Sequence, residues 1–252
     1  MPKLIDKQRR QLSGWRKEAL AADHALSPQR LRQIEDEMQE WDYIKELAQN
    51  AKFFERFDLY DAEAHKTGAQ TWRGLAHWLW LRHGSVHGML FTPSNMVILQ
   101  RRAVSVEDSP GFIDMTFAGH MGTSRLQAAT RYDGRQALES EAMDEVGVDL
   151  LPGSDHVENA ADLEPICHYN YVEPPRPQEE FYNVEIRYVF AIRVTSAALG
   201  AVRPLDREVG SFLLTSLEEA WTLLREPNIA SALRVSGPLA LYHAMKAWSL
   251  EI

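Results

Sequence analysis

Cysteine is almost absent from this chain of 252 residues, and long hydrophobic runs are absent as well. The single cysteine, Cys167, cannot form an internal disulfide, which is typical of a protein in a reducing cytoplasm. No apolar run approaches the roughly 20 residues that a membrane-spanning helix needs, and the N-terminus lacks the apolar segment of a signal peptide. These absences lead us to expect a cytoplasmic protein with no membrane partner.

Positive charge is also scarce, since 27 Lys and Arg residues stand against 36 Asp and Glu residues, for a net charge of -9. This balance argues against a nucleic-acid backbone as the main partner. A small phosphorylated substrate is still compatible with it, because a bound metal or local arginines can reverse the local field. The hydrophobic share of 45% and the charged share of 25% are ordinary for a globular domain.

Residues 1–55 are rich in good helix formers and predict a helical N-terminal extension. Ser27 and Pro28 are typical of an N-cap and a first helical position, so a helix is expected from there to about Phe54. Apolar residues recur in it at three- and four-residue steps: Leu31, Ile34, Met38, Trp41, Ile44 and Leu47. We expect this stripe to pack on the following domain, residues 56–252, or on a second copy in a homodimer.

Short runs of apolar and aromatic residues predict strands in the rest of the chain. They lie at residues 57–61, 75–82, 86–92, 96–101, 166–172, 181–194 and 208–215. Pro93 to Asn95 would form a hairpin turn, and Trp78 and Trp80 would share one face of a strand. His77 is interpreted as a structural histidine. Two helices close the chain, one after a capping box at Ser216 and one at residues 228–248.

Residues 137–148 concentrate carboxylates in about two helical turns. Glu141, Asp144 and Glu145 fall at i, i+3 and i+4, so they would crowd one side of a helix that ends at Gly147 in a left-handed C-cap. Like charges this close destabilise a helix unless a cation lies among them. The residues alone leave two interpretations open, a solvated acidic face or a site for a hard divalent cation such as Mg²⁺.

The order of residues in this segment also resembles a known family motif. Residues 141–148, Glu-Ala-Met-Asp-Glu-Val-Gly-Val, resemble the second half of the Nudix box, which reads Arg-Glu-apolar-any-Glu-Glu-any-Gly-apolar. Ser140 occupies the arginine position, and Asp144 replaces the first glutamate of the pair. We expect an arginine from the preceding loop to substitute for the missing one, and the candidates are Arg125, Arg131 and Arg135.

Upstream segments resemble the branch of Nudix proteins close to isopentenyl diphosphate isomerase. Gly119-His120 is similar to the Gly-His pair at the start of their box loop, although the loop is several residues longer here and Tyr132 stands where its glutamate is expected. Residues 60–68 also resemble the first strand and turn of these proteins, residues 73–77 resemble their Arg-Gly-x-x-His segment ahead of the central strand, and residues 99–102 resemble their second hairpin strand.

The resemblance implies an α/β fold, a Nudix-type α/β/α sandwich around a mixed sheet, with the helical extension added. It implies Mg²⁺ or Mn²⁺ as cofactor, held by Glu141, Asp144, Glu145 and Glu185, with Glu141 and Glu145 as catalytic residues. His120 and Arg101 are the expected substrate-binding residues. For Glu185 an ion pair with Arg187, two residues along the same strand, is an equal alternative to a site role.

Three functions compete. The first is a metal-dependent hydrolase cleaving a diphosphate bond in a nucleoside diphosphate linked to another moiety. The second is a Nudix fold that binds a ligand without catalysis, which the missing arginine and loop glutamate favour. The third, an isopentenyl diphosphate isomerase, ranks lowest because Ala118 stands where that enzyme needs a cysteine.

Overall fold

The computed structural model describes residues 4–47, 50, 52–106, 108–123, 134–173 and 183–250. Its helices are α1 (Asp6–Ala21), α2 (Pro28–Gln39), α3 (Asp42–Glu46), α4 (Arg73–Leu79), α5 (Gly134–Glu141), α6 (Ser196–Ala201), α7 (Leu217–Leu223) and α8 (Ser231–Ala247). Its strands are β1 (Arg56–Tyr60), β2 (Lys66–Trp72), β3 (His83–Phe91), β4 (Val97–Arg102), β5 (Ile113–Asp114), β6 (Phe117–His120), β7 (Gly122–Thr123), β8 (Cys167–Val172), β9 (Val184–Arg193) and β10 (Val209–Thr215). Both strands and helices occur along the chain, with helices before, between and after groups of strands, and the predicted α/β fold class is confirmed. None of these helices combines the length and the hydropathy of a membrane-spanning segment.

The chain divides into two compact units, each built from three stretches of sequence. The first comprises Met1–Gly84, His120–Tyr132 and Tyr169–Arg187. The second comprises Ser85–Gly119, Asp133–His168 and Tyr188–Ile252. The predicted domain boundary between residues 55 and 56 stays a prediction.

In the first unit the N-terminal extension is helical, as expected, but the helix that begins after Ser27 is shorter than predicted. Ser27 Oγ accepts a hydrogen bond from the Arg30 amide at 3.2 Å, which confirms the N-cap. The prediction of one helix to about Phe54 is wrong, because α2 ends at Gln39 and a turn leads into α3. The Trp41 ring stacks on Trp15 of α1, with ring centroids 5.7 Å apart, and this tertiary contact holds the chain at the break.

The apolar stripe of the extension is buried within the first unit. Leu31, Ile34 and Met38 are at most 1% exposed. Glu35 on the same helix accepts hydrogen bonds from Arg56 Nη1 at 3.1 Å and from Thr71 Oγ1 at 2.7 Å. The extension therefore packs on strands β1 and β2, and the homodimer stays a prediction.

The strand predicted at residues 75–82 is wrong, because Arg73–Leu79 forms the helix α4. Every residue of α4 after Arg73 is buried, so the sequence shows neither helical nor strand periodicity there. The helix ends at Trp80 in the left-handed conformation, with φ 58°, and Leu81 donates its amide to the Ala76 carbonyl at 2.8 Å. Trp78 and Trp80 therefore do not share a strand face.

The strands of the first unit are antiparallel where their register is defined. β1 pairs with β2, with Phe57 opposite Thr71, and with β7, with Phe57 opposite Gly122. Leu59 of β1 also pairs with His83, the first residue of β3. Strand β1, which contains Phe57, thus lies beside both the start of β3 and β7, the short strand just after His120.

In the second unit, β4 pairs antiparallel with β3, with β5 and with β10. A parallel bridge joins Ile113 to Ile229, so both strand directions occur. The hairpin turn predicted between β3 and β4 is confirmed, with Asn95 at φ 64°. The capping box of α7 is also confirmed, because Ser216 accepts from the Glu219 amide at 3.1 Å and Glu219 accepts from the Ser216 amide at 2.8 Å.

The acidic segment predicted as a single helix contains two kinds of turn. α5 continues as one π-helical turn, Ala142–Val146, and Gly147 ends it at φ 82°. This confirms the left-handed C-cap. The wider π turn matters for the site, because it changes which side chains share a face after Glu141.

Candidate functional site

Glu145 is a buried carboxylate surrounded by other carboxylates within the second unit. It is 7% exposed, and Gln100 Nε2 donates to its Oε2 at 3.4 Å. Burial raises the pKa of Glu145 well above its ordinary value, and the charges of Glu141, Glu208, Asp114 and Asp206 raise it further. A divalent cation would relieve this repulsion, since oxygen-rich sites of this kind suit Mg²⁺.

Asp206 and Glu208 lie near Glu145 because of backbone contacts that sequence spacing could not predict. Arg203 and Leu205 donate their amides to the carbonyls of Val146 at 3.1 Å and Glu145 at 3.2 Å, so residues 203–208 run along the end of the acidic helix. This brings Asp206 and Glu208 close in space although they follow Glu145 by about 60 residues.

Asp114, by contrast, is held by structural partners. Its Oδ1 accepts hydrogen bonds from the amides of Met115 at 2.8 Å and Leu233 at 3.2 Å, and its Oδ2 lies 3.4 Å from Arg102 Nη1. The charge of Asp114 helps to raise the pKa of Glu145, while its own two oxygens are bound by Met115, Leu233 and Arg102.

Glu141 lies directly against Gly119. A Cβ atom added at Gly119 would fall inside van der Waals contact with the carboxyl group of Glu141. The Gly119-His120 segment and the acidic helix are therefore adjacent at this point.

Asp144 differs from its neighbours because its side chain is exposed. It accepts a hydrogen bond from Ser140 Oγ at 3.3 Å. Glu145 is buried, so the two adjacent acids have different surroundings, and the metal-binding role of Asp144 stays a prediction.

Three arginines were proposed to replace the missing arginine of the box, and the structure describes one of them. Arg125 and Arg131 lie outside the described residues, as does Tyr132. Arg135 forms ion pairs with Glu139 at 3.0 Å and Glu164 at 3.8 Å. Arg101, predicted to bind substrate, donates from Nη1 to the Gly111 carbonyl at 3.0 Å.

Three histidines of the first unit form a separate cluster. One ring nitrogen each of His77, His83 and His120 lies within 4.8 Å of the others. His77 and His83 are fully buried, and His120 is half-buried. Phe57 stacks on His83 and His120, with centroids 5.0 and 5.1 Å away, and keeps the rings together.

Local structure explains why these histidines meet. His77 is in the last turn of α4, and the left-handed turn at Trp80 returns the chain at once to His83 at the start of β3. Met121 donates its amide to the Gly84 carbonyl at 2.8 Å, which places His120 beside His83.

The chemistry of the cluster fits a metal. Burial lowers the pKa of His77 and His83, and burial together with the Arg73 charge lowers that of His120 to about 3, so the rings are neutral and their lone pairs available. His83 Nδ1 contacts the Leu81 carbonyl at 2.9 Å and acts there as donor, which leaves a lone pair on Nε2. Among the described residues, Nε2 of His83 is buried without a hydrogen-bond partner.

Glu185 adds an anionic oxygen to the histidines. Its Oε1 lies 3.3 Å from His120 Nε2 and 3.9 Å from His83 Nε2. Its Oε2 accepts from Arg187 Nε at 2.7 Å, so the predicted ion pair is present as well. Burial raises the pKa of Glu185, but the Arg187 charge and the neighbouring histidines outweigh burial and hold that pKa well below its ordinary value. Glu185 is therefore charged and forms the predicted ion pair with Arg187, and its metal-binding role stays a prediction.

The predicted site residues thus fall into two groups. Glu185 and His120 belong to the first unit, whereas Glu141, Asp144, Glu145 and Arg101 belong to the second. The sequence interpretation treated His77 as structural and did not single out His83. The resemblance of residues 73–77 to the isomerase-like branch was the signal that would have pointed to His77.

No protein-family model and no curated protein matches the chain. Among solved structures, DR0079 from Deinococcus radiodurans is 18% identical, with 73% of this chain and 94% of that chain covered and a TM-score of 0.45. The MutT protein from Methanosarcina mazei Go1 is 15% identical, with coverages of 68% and 96% and a TM-score of 0.42. The Nudix domain of Shewanella oneidensis NrtR, solved with ADP ribose, is 16% identical, with coverages of 65% and 86% and a TM-score of 0.39. These likenesses assign no function to the chain.

Proposed function

We propose that this chain is a metal-dependent hydrolase of the Nudix type, which cleaves the diphosphate bond of a nucleoside diphosphate linked to another moiety. The observation that carries the proposal is Glu145, a carboxylate buried among four other acids on a helix that resembles the Nudix box. Such burial is unfavourable without a cation, and it is typical of a functional site.

In this proposal Glu145 and Glu141 hold Mg²⁺ or Mn²⁺, and the exposed Asp144 is an outer ligand. Gly119 fixes the position of Glu141, because its missing side chain leaves room for that carboxylate. Gln100 orients Glu145 through the hydrogen bond to Oε2. A divalent cation held here would supply Lewis acidity towards a diphosphate oxygen.

A second metal is proposed at the histidine cluster. His77, His83, His120 and Glu185 offer three nitrogens and one oxygen, a donor set that suits Zn²⁺, Co²⁺ or Mn²⁺ better than Mg²⁺. We call this group the histidine centre. In this proposal Glu185 binds a metal together with the three histidines, whereas the resemblance implied that it binds one together with the acids of the box helix.

The test is turnover of ADP-ribose, other nucleoside diphosphate derivatives and isopentenyl diphosphate, with Mg²⁺ or Mn²⁺ present. Glu145→Gln should lower the rate on the preferred compound by at least about 100-fold, because it removes the anionic oxygen that would hold the metal, and the metal's charge stabilises the transition state. The matched control is Glu139→Gln on the same helix, where the carboxylate pairs with Arg135 instead. If Glu145→Gln retains wild-type turnover, the proposal is wrong.

A ligand-binding protein without catalysis is the second candidate, favoured by one observation. Ser140 donates to Asp144 at 3.3 Å and lacks the charge and reach of the box arginine. Thermal stabilisation by a diphosphate compound, without cleavage of any compound in the panel, would support this candidate over the hydrolase.

A further inference from the structure

Arg187 is buried beside the histidine centre, and the proposed metal sites above give it no role. Its side chain is 2% exposed, and its guanidinium carbon lies 3.4 Å from the centre of the Tyr171 ring. Its Nε donates to Glu185 Oε2 at 2.7 Å, whereas its Nη1 is buried without a hydrogen-bond partner among the described residues. A buried cation so placed has a fixed position, because stacking and ion pairing both restrict it.

The two oxygens of Glu185 consequently have different surroundings. Oε2 is taken by Arg187, and Oε1 faces His120 Nε2 at 3.3 Å and His83 Nε2 at 3.9 Å. A carboxylate without such a partner can turn about its last bond and present either oxygen, or both, to a metal.

We infer that Arg187 is a positioning residue of the histidine centre: it occupies one oxygen of Glu185 and leaves the other as the single oxygen ligand beside the three histidines. The inference rests on the proposed metal at that centre. Outer partners of this kind orient ligands, and their loss typically weakens metal affinity by about 10- to 100-fold.

Lysine would not replace Arg187 fully. A lysine ammonium keeps the charge, but it lacks the planar fork that bonds Oε2 and stacks on Tyr171 at the same time. Arg187→Lys should therefore have an effect between those of the wild type and Arg187→Met.

The experiment is titration of the full chain with Co²⁺, whose visible absorption reports both affinity and coordination number. We expect the wild type to give the strong absorption of a four-coordinate site. Arg187→Met should weaken Co²⁺ binding by about 10- to 100-fold. It should also lower the absorption per bound ion, because Oε2 becomes available as a further ligand.

A double-mutant cycle separates positioning from a general structural effect. Glu185→Gln removes the carboxylate through which Arg187 acts, so adding Arg187→Met to it should change Co²⁺ affinity no further. The double variant also avoids a lone buried charge, which keeps the comparison available if Arg187→Met alone does not fold. Arg56→Met is the matched control, since it breaks another arginine–glutamate pair of the same unit.

The outcomes are distinct. Unchanged affinity and spectrum in Arg187→Met, or equal losses from Arg187→Met with and without Glu185, would overturn the inference about Arg187. A wild-type chain that binds no Co²⁺ would overturn both this inference and the proposed histidine centre. Neither result changes the turnover expected of Glu145→Gln, so a failure of the hydrolase proposal is recognised separately.

Discussion

The substitution Gly119→Ala tests whether the position of Glu141 matters for catalysis, because it adds one methyl group against the Glu141 carboxylate. The Gly119 backbone lies outside the left-handed region, so alanine is allowed there, but the added Cβ would overlap the carboxyl carbon, Oε1 and Cγ of Glu141. These atoms belong to a flexible side chain, which can turn aside. Turning it off its preferred rotamer costs about 1 kcal/mol, so Gly119→Ala should fold normally.

The effect on catalysis should be much larger than the effect on stability. A displacement of about 1 Å at a reacting group can lower the rate by about 100-fold. We therefore expect Gly119→Ala to lower turnover of the preferred diphosphate compound by about 100-fold. Turnover is measured at saturating metal, and the free energy of unfolding is measured by urea denaturation.

Gly200→Ala is the control, because a Cβ at Gly200 in α6 meets no atom within 4 Å. It should leave turnover unchanged and stabilise the protein by about 0.5–1 kcal/mol, since alanine is the better helix former. In a Glu141→Ala background, Gly119→Ala should cost no stability, because the overlapping atoms are gone. Wild-type turnover in Gly119→Ala would refute the role given to Glu141.

Two further predictions concern stability. Glu35→Gln should lower the free energy of unfolding in urea by about 1–2 kcal/mol, because it weakens a mostly buried pair with Arg56. The control Glu18→Gln breaks an exposed pair with Arg30 and should cost at most about 0.5 kcal/mol. Equal losses from the two variants would contradict the docking of the N-terminal extension. Hydrogen bonds from Ser216 lower the pKa of Glu219 below its ordinary value of 4.5, so its stabilising effect is present above that pH and disappears as the pH falls through the lowered pKa. The difference in stability between wild type and Glu219→Gln should accordingly shrink between pH 7 and pH 3, and a constant difference would show that the charge has no part in the cap.

Sequence reasoning succeeded where a local pattern had one physical solution. Ser27 before Pro28, the capping box at Ser216 and the glycine at 147 each satisfy backbone groups at a helix end, so neighbouring residues settle the outcome. It failed at residues 75–82, where burial on all sides removes the periodicity that separates a helix from a strand.

The sequence by itself determined the helical extension and an acidic helix that ends in a glycine, because composition, periodicity and capping are local properties. The α/β class was implied by the family resemblance. Only the tertiary structure decided which distant groups share a site. It placed Asp206 and Glu208 by Glu145, and it assembled three histidines and Glu185 from four separate segments. The physical reason is that such contacts depend on strand register and on the turn after α4, which no short stretch of sequence specifies.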